Sequence, residues 1–245
     1  MTIVEEDLIL DMPNGKMRSV VFRPKAEGSF PLLVLYSEIF QLTGPILRSA
    51  AMMAGHGFIV AVPEIYYEHL ALGEVLAYGD AGKTVGNDLK IKTPMKNYDM
   101  GLDALIQHFK KDTTCSGKFG SMGFCLGGHL AFRAALHSEV KAIASFYGTD
   151  IHSSTLGPDQ ACDTFDRISE MNSEFLMVWG RQDPHIPVEG RQKVYQALHD
   201  TERSFTWHEF NAVHAFMRDE GERYNPGLAA QAYQLAVELF NRVLK

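Results

Sequence analysis

Gly123-Phe124-Cys125-Leu126-Gly127-Gly128 sets a cysteine between glycines, after an apolar run and before a helical pattern. That is the local sequence of a nucleophile elbow, in which a sharp strand-to-helix turn lifts one reactive side chain, here with cysteine where serine is commoner. The residue types have physical reasons. A strained backbone at the tip tolerates only small neighbours, so Gly123 and Gly127 keep side chains out of the way while the sulfur projects upward. Leu126 then offers its backbone N–H at a helix N-terminus, where an oxyanion can be held. A lone cysteine in an ordinary glycine-rich turn would be a small buried hydrophobe. The strand before, the helix after and the glycines on both sides favour a nucleophile, whereas Cys115 and Cys162 lack such a setting.

A thiol nucleophile needs a base, and in the elbow-bearing hydrolases an acid and then a histidine follow on later strand ends. Asp183 lies in Trp179-Gly180-Arg181-Gln182-Asp183-Pro184-His185-Ile186-Pro187, just past an apolar strand. His214 lies in Phe210-Asn211-Ala212-Val213-His214-Ala215-Phe216, past the last strand. Order and position select them. His208 falls inside a strand and His199 ends a helix, while Asp159, Asp163 and Asp166 do not directly follow a core strand. His185 is expected to be an ordinary loop residue.

These side chains must be carried by a framework, and the apolar pattern supplies one. Two β-type stretches, Asp7 to Asp11 and Met17 to Phe22, flank Asn14-Gly15, a strong hairpin signal. Continuous apolar runs follow at Leu32 to Tyr36, Phe58 to Val62, Lys118 to Phe124, Val140 to Tyr147, Phe175 to Trp179 and Ser204 to Phe210. Helical patterns separate them at Pro45 to Ala54, Met95 to Phe109, Leu126 to His137 and Val188 to His199, and a last one closes the chain from Leu228 to Leu244. Apolar strands alternating with helices mean a mostly parallel sheet covered on both faces, an α/β fold with an antiparallel N-terminal hairpin, read as one domain over residues 1–245. Glu64 to Thr93 fits no such element. It is either a surface excursion or a lid over the site.

The 245 residues carry 23 Lys and Arg against 30 Asp and Glu, a net charge of -7 that disfavours nucleic acid and anionic lipid as partners. Apolar runs are too short for a membrane span, and the acidic start Met1 to Asp7 is unlike a signal or transit peptide, so the expected location is the cytoplasm. Three cysteines without a C-x-x-C pair, and no H-E-x-x-H, G-x-x-x-x-G-K or strand-linked G-x-G-x-x-G, leave no metal and no cofactor expected.

Four segments together resemble the dienelactone hydrolase (carboxymethylenebutenolidase) family of α/β hydrolases: Glu38-Ile39-Phe40, Gly123 to Gly128, Gly180 to Pro187, and His214-Ala215-Phe216 with Arg218 and Arg223-Tyr224. The resemblance implies a Cys125, His214, Asp183 triad with an oxyanion hole of the Ile39 and Leu126 backbone N–H groups. It implies that Glu38 takes part in activating the thiol, and that Arg218 binds a substrate carboxylate rather than being a solvated loop charge. Tyr147 resembles a pocket tyrosine, though its place at a strand end also suits a core residue. The chain departs from the family between Ser49 and Phe132, where it has no arginine; Lys83, Lys90, Lys92 and Lys96 stand there, and lysine cannot reproduce bidentate carboxylate binding.

The expected function is hydrolysis of a lactone or small carboxylic ester through a cysteine acyl-enzyme, by a monomer or homodimer acting on a small molecule. The same groups would also suit a thioesterase or phosphotriesterase. A ligand-binding or redox-sensing protein using Cys125 is the non-enzymatic alternative.

Overall fold

The computed structural model describes residues 1–245. The Asn14-Gly15 turn joins strands β1 (Ile3–Met12) and β2 (Gly15–Pro24), which pair antiparallel from Ile3 opposite Pro24 to Met12 opposite Gly15. Six further strands follow: β3 (Phe30–Tyr36), β4 (Ile59–Pro63), β5 (Cys115–Phe124), β6 (Val140–Phe146), β7 (Glu174–Gly180) and β8 (Phe205–Phe210). All eight form one sheet in the order β1-β2-β4-β3-β5-β6-β7-β8. β2 meets β4 antiparallel, and every pairing from β4 to β8 is parallel.

The apolar runs sit where burial is complete. Every residue from Pro31 to Tyr36 and from Phe119 to Phe124 is buried, as expected for central strands with both faces covered. The cover comes from α1 (Gly44–Gly55), α2 (Asp80–Lys92), α3 (Met95–Phe109), α4 (Leu126–Arg133), α5 (Val188–Asp200) and α6 (Pro226–Leu244). Helix α4 packs on β3, β5 and β6, and α6 on β5, β6 and β7. Ser49 of α1 and Tyr233 of α6 share a hydroxyl contact of 2.6 Å.

Two elements differ from the sequence expectation. The helix expected from Leu126 to His137 ends at Arg133 and tightens into a 3-10 turn over Ala134–Leu136. Arg133 there is drawn into ion pairs with Asp99 and Asp163. The stretch from Glu64 to Thr93 contains the whole of α2, whose only buried residues are Gly82, Gly86 and Leu89. A helix with so thin an apolar stripe has almost no periodic signal.

The strand order places the site. β4 lies on one side of β3 and β5 on the other, so the chain leaving β3 and the chain leaving β5 part at the carboxyl edge and open a crevice. Glu38 and Ile39 follow β3, Cys125 follows β5, Asp183 follows β7 and His214 follows β8, all on that edge.

The elbow itself is held by close backbone approach. A Cβ on Gly123 would stand 2.1 Å from the Gly127 carbonyl oxygen, and one on Gly127 would stand 2.2 Å from that of Tyr36. Both obstacles are main chain and cannot rotate away. Gly127→Ala is therefore expected to lower stability by about 3 kcal/mol, at the upper end for overpacking. Urea denaturation of the variant beside wild type checks this, and an unchanged midpoint would mean that the turn opens freely.

Candidate active site

Cys125 stands between β5 and α4 with φ 57° and ψ −119°, a left-handed conformation that costs energy in any residue bearing a side chain. Main-chain hydrogen bonds fix it there. Its N–H donates to Phe146 O at 3.1 Å, and its carbonyl accepts from Gly128 N at 3.0 Å and Thr149 N at 3.1 Å. The thiol side chain is partly exposed at the floor of a cavity of about 360 Å3. Leu126 has a fully buried side chain, and its N–H, in the first turn of α4, has no acceptor within the helix. Ile39 borders the same cavity from the β3 side.

His214 is 6% exposed and borders the same cavity as Cys125. Its Nδ1 donates to Asp183 Oδ2 at 2.6 Å. The other carboxylate oxygen of Asp183 accepts the His185 backbone N–H at 2.8 Å, so both oxygens are engaged and the acid cannot turn. Burial opposes protonation of His214. The electrostatic influence of nearby Cys125 and the hydrogen bond to Asp183 outweigh it, and its pKa is raised above the ordinary histidine value. The site thus favours the protonated imidazole of His214.

Glu38 is 3% exposed, with Oε2 3.5 Å from Arg218 Nη1. Burial pushes its carboxyl above the usual glutamate value, against the opposing pull of Arg218, His214 and a hydrogen bond with Tyr78. The Arg218 guanidinium lies 4.3 Å over the Tyr78 ring, and its Nε donates to Glu220 O at 3.2 Å. Tyr78 is itself tied to Thr43 by a 2.8 Å hydroxyl contact. Arg218 therefore borders the cavity as a held cation, shared between Glu38 and whatever enters.

The structure brings Cys125, Asp183, His214, Glu38, Ile39 and Arg218 to one place. Tyr147 is 1% exposed, packs at 5.1 Å on the His214 ring and 5.4 Å on Phe216, and lines a small cleft with Glu38 and Arg218 beside the main cavity. Its own backbone, at φ 40°, follows β6 in a turn that keeps the ring among these aromatics.

Three groups at the cavity had no site role in the sequence reading. Helix α2 lays Asp80, Lys83, Asn87 and Lys90 along the cavity wall, a single helical stripe at i, i+3, i+7 and i+10. That polar spacing was the available signal, but Gly79 gives no capping side chain, and Gly82 and Gly86 lower helix propensity. His185, expected to be an ordinary loop residue, borders the cavity with its ring 4.8 Å from that of His214. Arg223 faces it from the other rim. Lys90 is bound to Asp150 at 2.9 Å and Arg218 to Glu38, which leaves Lys83 and Arg223 as cations outside those pairs. No group of histidines, cysteines and carboxylates is placed to hold a metal ion.

A mostly parallel eight-stranded sheet with an elbow cysteine, and an acid and a histidine on later strand ends, defines an α/β hydrolase. The sequence profile of the dienelactone hydrolase family matches residues 17–244, and the chain belongs to that family, whose members are hydrolases of ester or lactone bonds. It is similar to a Saccharomyces cerevisiae protein named "Putative carboxymethylenebutenolidase", 37% identical over 243 residues that cover 94% of this chain and 88% of the other. Two solved structures share the fold. One is a "Putative Dienelactone Hydrolase" of Klebsiella pneumoniae, with TM-score 0.87 and 23% identity, covering 99% of this chain and 100% of that one. The other is a dienelactone hydrolase-like promiscuous phosphotriesterase from metagenomic libraries, with TM-score 0.78 and 17% identity, covering 98% of each chain. No helix is long and apolar enough to cross a membrane.

Glu38 yields a prediction with a definite sign. A carboxyl whose folded pKa is raised keeps a proton that the unfolded chain has released. The stability it lends is full below the ordinary glutamate value and is lost as pH climbs from there through the raised value. Glu38→Gln removes that loss, so the variant should melt higher than wild type near neutrality, by a margin that shrinks in acid. Calorimetry of both proteins from about pH 4 to pH 8 tests it; a variant that melts lower at neutral pH would show that the Arg218 pair outweighs the burial.

Proposed function

We propose that this hydrolase opens a lactone or cleaves a small carboxylic ester through an acyl-enzyme on Cys125. The observation that carries the reading is the 2.6 Å contact of His214 with Asp183 beside a left-handed Cys125 at the cavity floor. The Cys125 sulfur, its proton taken up by His214, forms a bond to the substrate carbonyl carbon. The carbonyl electron pair moves to oxygen, where the Ile39 and Leu126 N–H groups stabilise it as charge develops. Collapse breaks the C–O bond, and His214 returns the proton to the departing alkoxide. Water then attacks the thioester with His214 as base, and the sulfur leaves with its electron pair. Asp183 fixes the imidazole tautomer and supports the imidazolium. Glu38 stands beside this pair as a second carboxyl that takes part in thiol activation, and its tie to Arg218 couples it to any carboxylate that enters.

The cavity wall supports an acyl group that carries its own carboxylate. Outside the Arg218–Glu38 and Lys90–Asp150 pairs, Lys83 and Arg223 stand at the opening beside Asp80 and Glu222, and these two cations together with Arg218, shared with Glu38, are the groups that would meet a carboxylate. Lys83 on α2 stands in the segment that lacks arginine, as a point charge without the arginine fork. It can attract a carboxylate without fixing its plane, which suits short flexible acids as well as flat rings.

Two substitutions test the reading. Cys125→Ala should abolish turnover of p-nitrophenyl acetate and of a carboxylate-bearing lactone, a loss of roughly 10^4-fold or more for a nucleophile; a variant that kept the wild-type rate on either would refute the assignment. Lys83→Met should raise KM for the carboxylate-bearing lactone by about tenfold, the lower range for a lost charge-assisted bond, and leave p-nitrophenyl acetate unaffected. Equal effects on both substrates would remove Lys83 from substrate binding.

A further inference from the structure

A second cysteine and histidine pair lies under the elbow, and the mechanism makes no use of it. His129, one turn after Cys125 on α4, is completely buried. Its Nδ1 is 2.9 Å from Thr149 O and its Nε2 is 3.5 Å from the Sγ of buried Cys162. Cys162 Sγ also meets Thr164 Oγ1 at 3.3 Å, and Arg133 Nη1 donates to the same hydroxyl at 3.0 Å. Burial lowers His129 to about 4, so the ring is neutral and carries one proton. A carbonyl can only accept, so that proton is on Nδ1, and Nε2 is left to accept from the Cys162 thiol.

What the ring holds is the reason it matters. Thr149 lies in the loop after β6, where Tyr147 at φ 40° and Asp150 at φ 62° are both left-handed. Such a loop persists only where its surroundings over-determine it. Thr149 N–H donates to Cys125 O at 3.1 Å, and Thr149 also borders the cavity. Asp150 is pinned by Lys90 Nζ at 2.9 Å and by Thr155 Oγ1 at 2.8 Å. The carbonyl of Thr149 has His129.

We propose that His129 is a positioning residue for the reaction: it grips the Thr149 carbonyl so that the Thr149 N–H holds Cys125 in its left-handed conformation, with Cys162 anchoring the far side of the ring. The role rests on the acyl-enzyme reading above and adds to it a device that the elbow residues alone do not provide. Without the grip, the loop relaxes, the Cys125 carbonyl loses a donor, and the sulfur samples positions outside attack distance. Misplacement by about 1 Å can cost up to 10^2 in rate, and the loss falls on the chemical step rather than on substrate capture.

The test is single-turnover release of p-nitrophenolate from p-nitrophenyl acetate, with enzyme in excess, on wild type and three variants. His129→Leu should acylate about 10- to 100-fold more slowly, with KM for the steady state little changed. His129→Asn sets an amide N–H near the Nδ1 place and should recover most of the rate. His129→Gln sets its amide near the Nε2 place and should not. The contrast of Asn with Gln decides the matter even if the leucine variant fails to fold, because both amides are polar and of similar bulk. Wild-type rates in His129→Leu, or equal losses in Asn and Gln, would overturn the role of His129 alone. Absence of any p-nitrophenolate release by wild type would instead overturn the acyl-enzyme reading on which it rests.

Discussion

Everything in this site depends on one backbone conformation, that of Cys125 at φ 57° and ψ −119°. A residue with a side chain pays for that geometry, and the neighbouring structure is arranged to hold it. The Gly123 and Gly127 approaches admit no Cβ, β6 supplies Phe146 O as acceptor, and α4 begins at once with Leu126. The conformation in turn sets the direction of the sulfur, the aim of the first helical N–H groups and the side of the sheet on which a partner acid and base must stand. β7 and β8, parallel to β5, deliver Asp183 and His214 on that side because parallel strands end at a common edge.

Electrostatics completes what geometry begins. Asp183 engages His214 through one oxygen and a backbone N–H through the other, so in the proposed mechanism it orients the imidazole. Glu38 is the opposite case, a carboxyl whose burial favours its proton and whose one ion-pair partner, Arg218, also faces the cavity. The two buried carboxyls thus have different partners, His214 with a backbone N–H for Asp183 and Arg218 for Glu38.

The parts of this arrangement that follow from local rules were legible in the sequence. The apolar runs gave the sheet, the Asn14-Gly15 dipeptide gave the hairpin, and chain order singled out Asp183 and His214 from the other acids and histidines. What was hidden depends on tertiary approach. α2 escaped because it buries two glycines and a leucine, so its amphipathic signal lies in the polar residues that face the cavity. Gly86 is needed there because a Cβ would stand 2.6 Å from Ile39 O, a requirement no local pattern displays. Tyr147 sits at a strand end, and the partners that surround its ring, His214 and Phe216, come from much later in the chain. His129 and Cys162 are 33 residues apart and meet only through the fold.

The proposed mechanism requires a covalent bond between substrate and Cys125. Intact mass spectrometry of enzyme quenched in acid within the first turnover of p-nitrophenyl acetate, followed by peptide mapping, tests it most directly. One acetyl group per chain is expected, carried on the peptide holding Gly123 to Gly128 and lost with the kinetics of turnover. Steady turnover with no adduct at any quench time, or an acetyl group on a different residue, would contradict it.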